Sequence, residues 1–359
     1  GKPDLVKTFV QVPKAAVKGD YKAPTIFEAS PYVAGTTEER TLEGLGLKEG
    51  GKFDMAKLYT KPDKRKAVKE VSTEEVAKAT KPKDWYYVNP RESSADYTHY
   101  DYENLNWYNY YLVRGYAVVT SSGLGSKGSD GINTTGSDLE VAAYKSIIEW
   151  LNGKRKAYAD KTSNREVKAD WSSGNVAMTG LSWAGTTTFG VASTGVEGLK
   201  TIVPAAGIAS WYDHFNSQGS PLDTGASNDL SWLSVYTSGR ILDKDDWDKI
   251  KDYYAAYITK LNELQHKDGH NYNEEYAKRD YTLNAANLKA APLLIQGLND
   301  DNVKPKHFEL MLEAYKKAGI DPKVLLHQGN HVYPSTRWAG TTVAGQAFND
   351  LMNQWYSHY

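Results

Sequence analysis

A serine stands among small residues where a short apolar segment is followed by a helix-forming one. The sequence at this point reads Gly180-Leu181-Ser182-Trp183-Ala184-Gly185. A sharp strand-to-helix turn exposes such a serine at the edge of a sheet, and small neighbours relieve crowding in the turn. Glycine usually stands two positions after the serine, whereas Ala184 stands there in this chain. The motif predicts a nucleophile, with a turn merely rich in small residues as the alternative.

A serine hydroxyl reacts only when a base takes its proton and an acid orients that base. On this kind of turn the partners follow in the order Ser, Asp, His, each after a strand. An apolar strand is predicted at 292–297 and is followed by a loop with Asp300, while a strand at 323–326 is followed by a loop with His331. We therefore predict Ser182 as nucleophile, Asp300 as acid and His331 as base.

Each partner has a neighbour that competes for its role. Asp301 could replace Asp300, and both could be solvated loop carboxylates. His327 lies at the end of its strand, where the sheet fixes its direction, so a structural role suits it better. The combination of serine turn, acid loop and histidine loop in the expected order is more specific than any one part.

The composition of the 359 residues indicates a protein with mixed surface charge. Lys and Arg number 43 against 44 Asp and Glu, which argues against nucleic acid or an anionic membrane as the main partner. No apolar run approaches the roughly 20 residues of a membrane helix. Because cysteine is absent, disulfides, thiol catalysis and cysteine metal sites are excluded. We expect neither a metal nor a cofactor, and a cytoplasmic location, with the cell surface or secretion as alternatives.

Strand and helix patterns alternate along the chain. Such alternation predicts an α/β fold with a mainly parallel central sheet and helices on both faces. Two long segments, at about 34–106 and 208–290, interrupt the alternation and are predicted to form lids or pocket walls. Further strands are predicted at 5–12, 24–29, 116–120, 176–178 and 201–204, and helices at 138–151, from about 186, around 247–264, at 304–318 and at 343–357.

One glycine-rich motif suggests a different chemistry. Residues 123–128 fit the pattern G-x-G-x-x-G of a dinucleotide site and follow a predicted strand. In such a site the helix opens inside the glycines, so that its N-terminus meets the pyrophosphate. Here residues 129–136 continue the loop instead, so a loop of the active site is the better interpretation.

Many short motifs follow one another in a fixed order over nearly the whole chain. They include Glu28-Ala29-Ser30-Pro31-Tyr32, Gly115-Tyr116-Ala117-Val118-Val119, Gly128-Ser129-Asp130-Gly131, Glu149-Trp150-Leu151-Asn152-Gly153, Lys168-Ala169-Asp170-Trp171, Thr194-Gly195-Val196-Glu197-Gly198-Leu199, Gly297-Leu298-Asn299-Asp300 and His331-Val332-Tyr333. Together they resemble the catalytic domain of the Xaa-Pro dipeptidyl-peptidases of lactic acid bacteria. The resemblance implies an α/β-hydrolase fold over residues 1–359 and a serine peptidase that removes Xaa-Pro dipeptides from free peptide N-termini.

The same resemblance implies roles at the reacting carbonyl and around the proline ring. It gives Ser182, Asp300 and His331 the roles predicted above. The hydroxyl of Tyr32 would join the backbone N–H of Trp183 as the oxyanion hole. The walls of the proline pocket would be Trp211 and Val303.

The amino end of the substrate is matched less closely. Asn302 would form a hydrogen bond near it, and Asp229 is the candidate carboxylate for its ammonium group, which must be paired when it is desolvated. His214 stands where the family places an aromatic hydroxyl in the pocket wall. These residues are the expected substrate contacts.

The resemblance leaves the assembly and the substrate class open. Members of the family also have an N-terminal helical domain and a C-terminal β-rich domain, which we expect to be absent from this chain, and they suggest a homodimer. The expected partners are peptides with proline at the second position. An esterase or amino-acid ester hydrolase is the alternative within the same fold. A non-catalytic module that binds peptide or sugar is the alternative from another class.

Overall fold

A seven-stranded sheet forms the centre of the computed structural model, which describes residues 3–34, 107–222, 229–242, 244–334, 343 and 348–359. The strands in chain order are β1 (Thr8–Gln11), β2 (Ala23–Ala29), β3 (Ala117–Ser121), β4 (Ala157–Tyr158), β5 (Glu166–Val167), β6 (Ser172–Leu181), β7 (Leu199–Ala205), β8 (Asn216–Ser217), β9 (Ser220–Pro221), β10 (Ala291–Gly297) and β11 (Lys323–His327). The sheet has the order β1-β3-β2-β6-β7-β10-β11, and two short hairpins, β4-β5 and β8-β9, lie outside it.

All neighbouring pairs in the sheet are parallel except β1 and β3, which are antiparallel. The predicted mainly parallel sheet is thus confirmed. Its register brings Leu181 at the end of β6 beside Ala205 of β7, and Gly297 of β10 beside His327 of β11. The loops that leave β2, β6, β10 and β11 therefore start from one edge of the sheet.

The helices cover the sheet as the alternating sequence pattern predicted. In chain order they are α1 (Lys14–Lys18), α2 (Trp107–Leu112), α3 (Asp138–Leu151), α4 (Trp183–Ala192), α5 (Trp211–Phe215), α6 (Leu230–Thr237), α7 (Lys244–Gln265), α8 (Glu274–Ala277), α9 (Lys306–Lys317) and α10 (Phe348–His358). Short 3₁₀ turns occur at Pro31–Ala34, Gly239–Leu242 and Tyr281–Asn287. Within the described part of the chain, no helix combines the length and the apolar character needed to cross a membrane.

Adjacent residues of the central strands point to opposite faces of the sheet, and both faces are buried. One face contributes Phe27, Met178, Ile202 and Leu294 to the larger hydrophobic core, while the other contributes Ile26, Ala177, Val203 and Ile295 to a second core. Because both faces are covered, these strands read as continuous apolar runs rather than as an alternation of apolar and polar residues.

Several boundaries differ from the sequence-based expectation. Helix α4 begins at Trp183, not near Thr186, because the backbone reverses within a single residue, Ser182. Strand β6 spans ten residues and not three. Its polar first half extends the pairing with β2 to the amino-terminal ends of the two strands, where Ser172 lies beside Ala23. Helix α10 begins at Phe348, and residues 344–347 of the predicted helix lie outside the described ones.

The two predicted insertions can be followed to different extents. Nearly all of 34–106 lies outside the described residues. The segment 208–290 holds α5 to α8, and Trp211, Leu230 and Tyr281 from it belong to the larger core. The glycine-rich motif at 123–128 forms turns, and the next helix begins only at Asp138, so the geometry of a dinucleotide site is not present there.

Candidate active site

Ser182 occupies a strained turn between β6 and α4. Its φ of 64° and ψ of −125° lie where a residue other than glycine rarely stays unless the surroundings hold it. Its backbone N–H donates to Ala205 O at 2.9 Å, and its carbonyl accepts from Thr186 N at 2.8 Å. The turn is thus fastened to β7 on one side and to the first turn of α4 on the other.

The small residues around Ser182 are required by close backbone contacts. A Cβ at Gly180 would lie 2.3 Å from the Cβ of Ala184, and a Cβ at Gly185 would lie 2.8 Å from Ala205 O. Ala184 therefore fits where glycine is usual because Gly180 leaves room for its methyl group. Gly185 in turn lets α4 approach β7 closely.

Asp300 and His331 are in direct contact. His331 Nδ1 lies 2.8 Å from Asp300 Oδ2, with the carboxylate side chain fully buried and the imidazole 21% exposed. An ionised carboxylate only accepts hydrogen bonds, so Nδ1 carries the proton and Nε2 keeps its lone pair. This is the tautomer that a base for a serine hydroxyl needs.

The carboxylate of Asp300 is itself fixed by its loop. Its Oδ1 accepts the backbone N–H of Asn302 at 3.0 Å and of Val303 at 2.9 Å. Gln296 of β10 also points Nε2 at Oδ2 from 3.4 Å. The competing Asp301 is exposed and has no such contacts among the described residues.

The second histidine of this region has a structural contact. His327 Nδ1 accepts the backbone N–H of Gly329 at 3.1 Å, and its carbonyl accepts from Leu298 N at 2.8 Å. These bonds connect the loops that follow β10 and β11. They agree with the structural role that its position at the strand end indicated.

Tyr32 and Trp183 lie together beside the serine turn. Tyr32 follows β2, the neighbour of β6, and its ring meets the Trp183 indole edge to face at 5.6 Å. Burial of the phenol raises the pKa of Tyr32, although 40% of the residue is exposed, so its hydroxyl keeps its proton as a donor. As the first residue of α4, Trp183 has no helical partner for its N–H. Their role as oxyanion donors stays a prediction.

The residues predicted to surround the proline ring are packed in the core. Trp211 and Val303 are each 1% exposed, and the Trp211 indole N–H donates to Tyr281 OH at 3.0 Å. Trp211 also contacts the Trp183 ring at 5.0 Å. Both residues belong to the larger core, and their contact with substrate stays a prediction. Asn302, which was expected to reach the amino end of the substrate, is exposed.

His214 is a buried, neutral histidine in the same region. Burial lowers its pKa far below the usual range, and the neighbouring His307 acts in the same direction. Its ring packs against Trp211 at 5.9 Å and Phe215 at 4.8 Å, and its Nδ1 has no partner among the described residues. A buried ring nitrogen without a partner is costly, and contact of His214 with a substrate stays a prediction.

Asp229 caps a helix. Its Oδ1 accepts the backbone N–H of Trp232 and the hydroxyl of Ser231, both at 2.7 Å. This explains the position of an acidic residue at the start of α6 without reference to a substrate. Its role as anchor for the substrate ammonium stays a prediction.

Comparisons with known proteins place the chain in a family. The family described as X-Pro dipeptidyl-peptidase (S15 family) matches residues 1–333. The chain belongs to this family. The Xaa-Pro dipeptidyl-peptidase of Pediococcus pentosaceus is 34% identical over all of this chain and 42% of its own length, and that of Lacticaseibacillus rhamnosus is 36% identical over all of this chain and 43% of its own length. The chain thus spans less than half the length of these relatives.

The S15-family chain also resembles solved structures in its fold. An α-amino acid ester hydrolase has a TM-score of 0.50 and 14% identity, over 98% of this chain and 50% of that one. At this identity the likeness concerns the fold alone. Together with the sheet order and the serine turn, it establishes the α/β-hydrolase fold that the sequence resemblance implied.

Two buried polar residues of this S15-family site were missed at the level of sequence. Gln296 supports Asp300, and Glu140, which is 1% exposed, accepts a hydrogen bond from the Trp183 indole N–H at 2.9 Å. The only local signal for Glu140 is its place three residues after Ser137, which is typical of a capping box at a helix start. No cluster of acidic or histidine side chains that could hold a metal ion occurs among the described residues.

Proposed function

We propose that this chain is the catalytic part of a serine peptidase that releases Xaa-Pro dipeptides from the free N-termini of peptides. The observation that carries the proposal is the Asp300–His331 pair, 2.8 Å apart, on the sheet edge where Ser182 is held in its strained turn. Membership of the S15 family, whose relatives bear the name Xaa-Pro dipeptidyl-peptidase, supports the choice of substrate.

The proposed reaction proceeds through an acyl-enzyme. Ser182 Oγ attacks the carbonyl carbon of the proline at the second position, and its proton passes to His331 Nε2. The C–N bond after the proline then breaks, His331 returns the proton to the leaving amine, and the dipeptide stays on Ser182 as an ester. Water repeats the sequence on that ester and releases the dipeptide.

Negative charge develops on the carbonyl oxygen during both steps. The Trp183 N–H and the Tyr32 hydroxyl are the proposed donors to that oxygen. Removing one such donor costs about 3–4 kcal/mol of transition-state stabilisation in other serine hydrolases. Asp300 keeps the imidazole in the productive tautomer and stabilises the cation that forms on it.

The proposal is tested with a chromogenic Gly-Pro amide, a simple acetyl ester and a fluorophosphonate probe. Cleavage of the amide that disappears in Ser182→Ala is the expected result. Cleavage of the ester alone would reject the peptidase in favour of an esterase. No Ser182-dependent labelling by the probe would reject an active serine and favour a binding module.

A further inference from the structure

The carboxylate at the start of α3 faces the residue that follows the nucleophile. Glu140 is buried, and no step of the proposed reaction uses it. Building on the proposed function, we propose that Glu140 is a positioning residue that holds Trp183, and through it the oxyanion hole, in its reactive geometry.

The two oxygens of Glu140 accept hydrogen bonds from two different segments. Oε1 accepts the Trp183 indole N–H at 2.9 Å, and Oε2 accepts the backbone N–H of Gly136 at 2.5 Å. Both donors favour the ionised carboxylate, as does the nearby Arg279 guanidinium, whereas burial raises the pKa of Glu140 to about 7. Burial of a carboxylate is costly unless its oxygens have specific hydrogen-bond partners, as they have here.

Trp183 transmits this contact to the oxyanion hole. Its backbone N–H is one proposed donor, and its ring contacts Tyr32, the other, at 5.6 Å. On its other side the ring contacts Trp211 at 5.0 Å. Because the indole is 2% exposed and packed from both sides, the hydrogen bond to Glu140 selects one orientation of a large ring.

The segment that Oε2 contacts is anchored independently. Arg279, which is 1% exposed, donates Nε to Thr135 O and Nη2 to Thr134 O, both at 2.8 Å. Tyr281 OH donates to Gly136 O at 2.7 Å. Glu140 thus connects Trp183 to a turn that is already fixed, which is the requirement for a positioning contact.

A capping role alone does not account for the geometry. In a capping box the acid three residues after the N-cap bonds the N-cap's own backbone N–H. Here Ser137 accepts from Leu139 N at 3.2 Å as an N-cap should, but the acid bonds Gly136 and the Trp183 indole instead. One carboxylate oxygen therefore reaches past the N-cap to the preceding residue, and the other reaches α4.

The decisive variant is Glu140→Gln, which keeps the shape of the side chain. Its amide offers one acceptor where the carboxylate offers two, so either the indole or the Gly136 N–H loses its bond. We expect kcat to fall about 10- to 100-fold, because the oxyanion donors act in the transition state, while KM changes less than about threefold. The rates are measured above pH 8, where a Glu140 carboxyl with a pKa of about 7 is ionised, with the Gly-Pro amide, the acetyl ester and the fluorophosphonate probe.

Glu275→Gln is the matched control. Glu275 is also buried and contacts Arg279 at 2.7 Å, but it has no contact with Trp183. The variant keeps an oxygen for Arg279, so we expect kcat within about threefold of the wild type at a comparable loss of stability. An equal kcat loss in both variants would overturn the proposal in favour of general destabilisation.

Trp183→Phe tests the same hydrogen bond from its other end and serves if Glu140→Gln does not fold. It removes the indole N–H but keeps the backbone donor, and we expect a similar kcat loss. In the double variant the two losses should not add, because both break one contact. Unchanged kcat in either single variant, or full additivity, would overturn the proposal.

The two substrates and the fluorophosphonate probe separate this inference from the proposed function. If the wild type cleaves the ester and reacts with the probe but leaves the Gly-Pro amide intact, the peptidase assignment fails while Glu140 is still tested. A wild type that reacts with none of the three would overturn both.

Discussion

Replacement of Asp300 by asparagine should disable the base while it preserves the fold. Asp300 Oδ1 accepts two backbone N–H groups, those of Asn302 and Val303. An asparagine at this position must keep its carbonyl oxygen there, because its NH₂ group would face two donors. The NH₂ group therefore takes the place of Oδ2, which lies 2.8 Å from His331 Nδ1.

That amide would impose the wrong tautomer on the histidine. It donates to Nδ1, so the ring proton moves to Nε2 and the imidazole can no longer accept a proton from Ser182. In an established serine-protease triad this acid-to-amide change lowers kcat about 10⁴-fold, which corresponds to about 5 kcal/mol. The burial of Asp300 and its two backbone bonds indicate the same magnitude here, since no rotation of the new side chain avoids the conflict.

The assay compares kcat for the Gly-Pro amide in Asp300→Asn and Asp301→Asn. Asp301 is the neighbouring carboxylate, is exposed, and should retain activity within about twofold when changed, as is usual for a surface substitution. Thermal unfolding checks that both variants are folded. Asp300→Asn also loses the contact of Gln296, which costs stability by about 1 kcal/mol.

Two results would refute the reasoning. A folded Asp300→Asn that keeps more than a tenth of the wild-type kcat would mean that His331 does not depend on this carboxylate for its tautomer. A loss in Asp301→Asn as large as in Asp300→Asn would transfer the role to the exposed neighbour.

Three further predictions concern a loop, a cap and a buried acid. Gly297→Ala should lower kcat by about 100-fold, because its Cβ would lie 2.3 Å from Asn330 O and displace the loop of His331, and steady-state kinetics on the ester will check this. Asp229→Asn should leave the melting temperature nearly unchanged, since Asn caps helices as well as Asp. If Asp229 pairs with the substrate ammonium, the same variant should raise KM for the Gly-Pro amide. An unchanged KM would exclude that pairing. Burial raises the pKa of Glu140 from 4.5 to about 7, so the folded state keeps a proton that the unfolded state loses. The free energy of unfolding should then fall by about 3 kcal/mol from pH 4.5 to pH 7, and urea titrations should find this slope weaker in Glu140→Gln.

The sequence predicted those features whose signal is local. The bounds of α3 agree because Ser137 caps the helix and the apolar residues after it recur at helical spacing. The order Ser182, Asp300, His331 was readable because a short apolar segment precedes the turn or loop that contains each residue. The carboxyl ends of parallel strands lie at one edge of the sheet. The positions of Asp300 and His331 after two such strands were therefore enough to predict that they come together.

Other features depend on contacts that local sequence does not contain. Helix α4 starts earlier than expected because packing against β7 outweighs the weak helix propensity of its two glycines and three threonines. Glu140 looks like part of a capping box, and its partner Trp183 is 43 positions away. Trp211 was expected in the wall of the proline pocket, and its indole N–H binds the hydroxyl of Tyr281, 70 positions away, within the larger core.

The predicted nucleophile and the predicted base are positioned by different means. Ser182 is fixed by the sheet itself, through its N–H to Ala205 O and the close contact of α4 with β7. His331 stands in a loop and is one-fifth exposed, so its orientation comes from Asp300, which the loop's own N–H groups and Gln296 hold in turn. Substitutions of the small residues Gly180 and Gly185 beside Ser182 should therefore act mainly on stability, because they disturb the packing of strand and helix. Substitutions around Asp300 should act mainly on kcat, because they change the orientation or tautomer of one ring and leave the core intact.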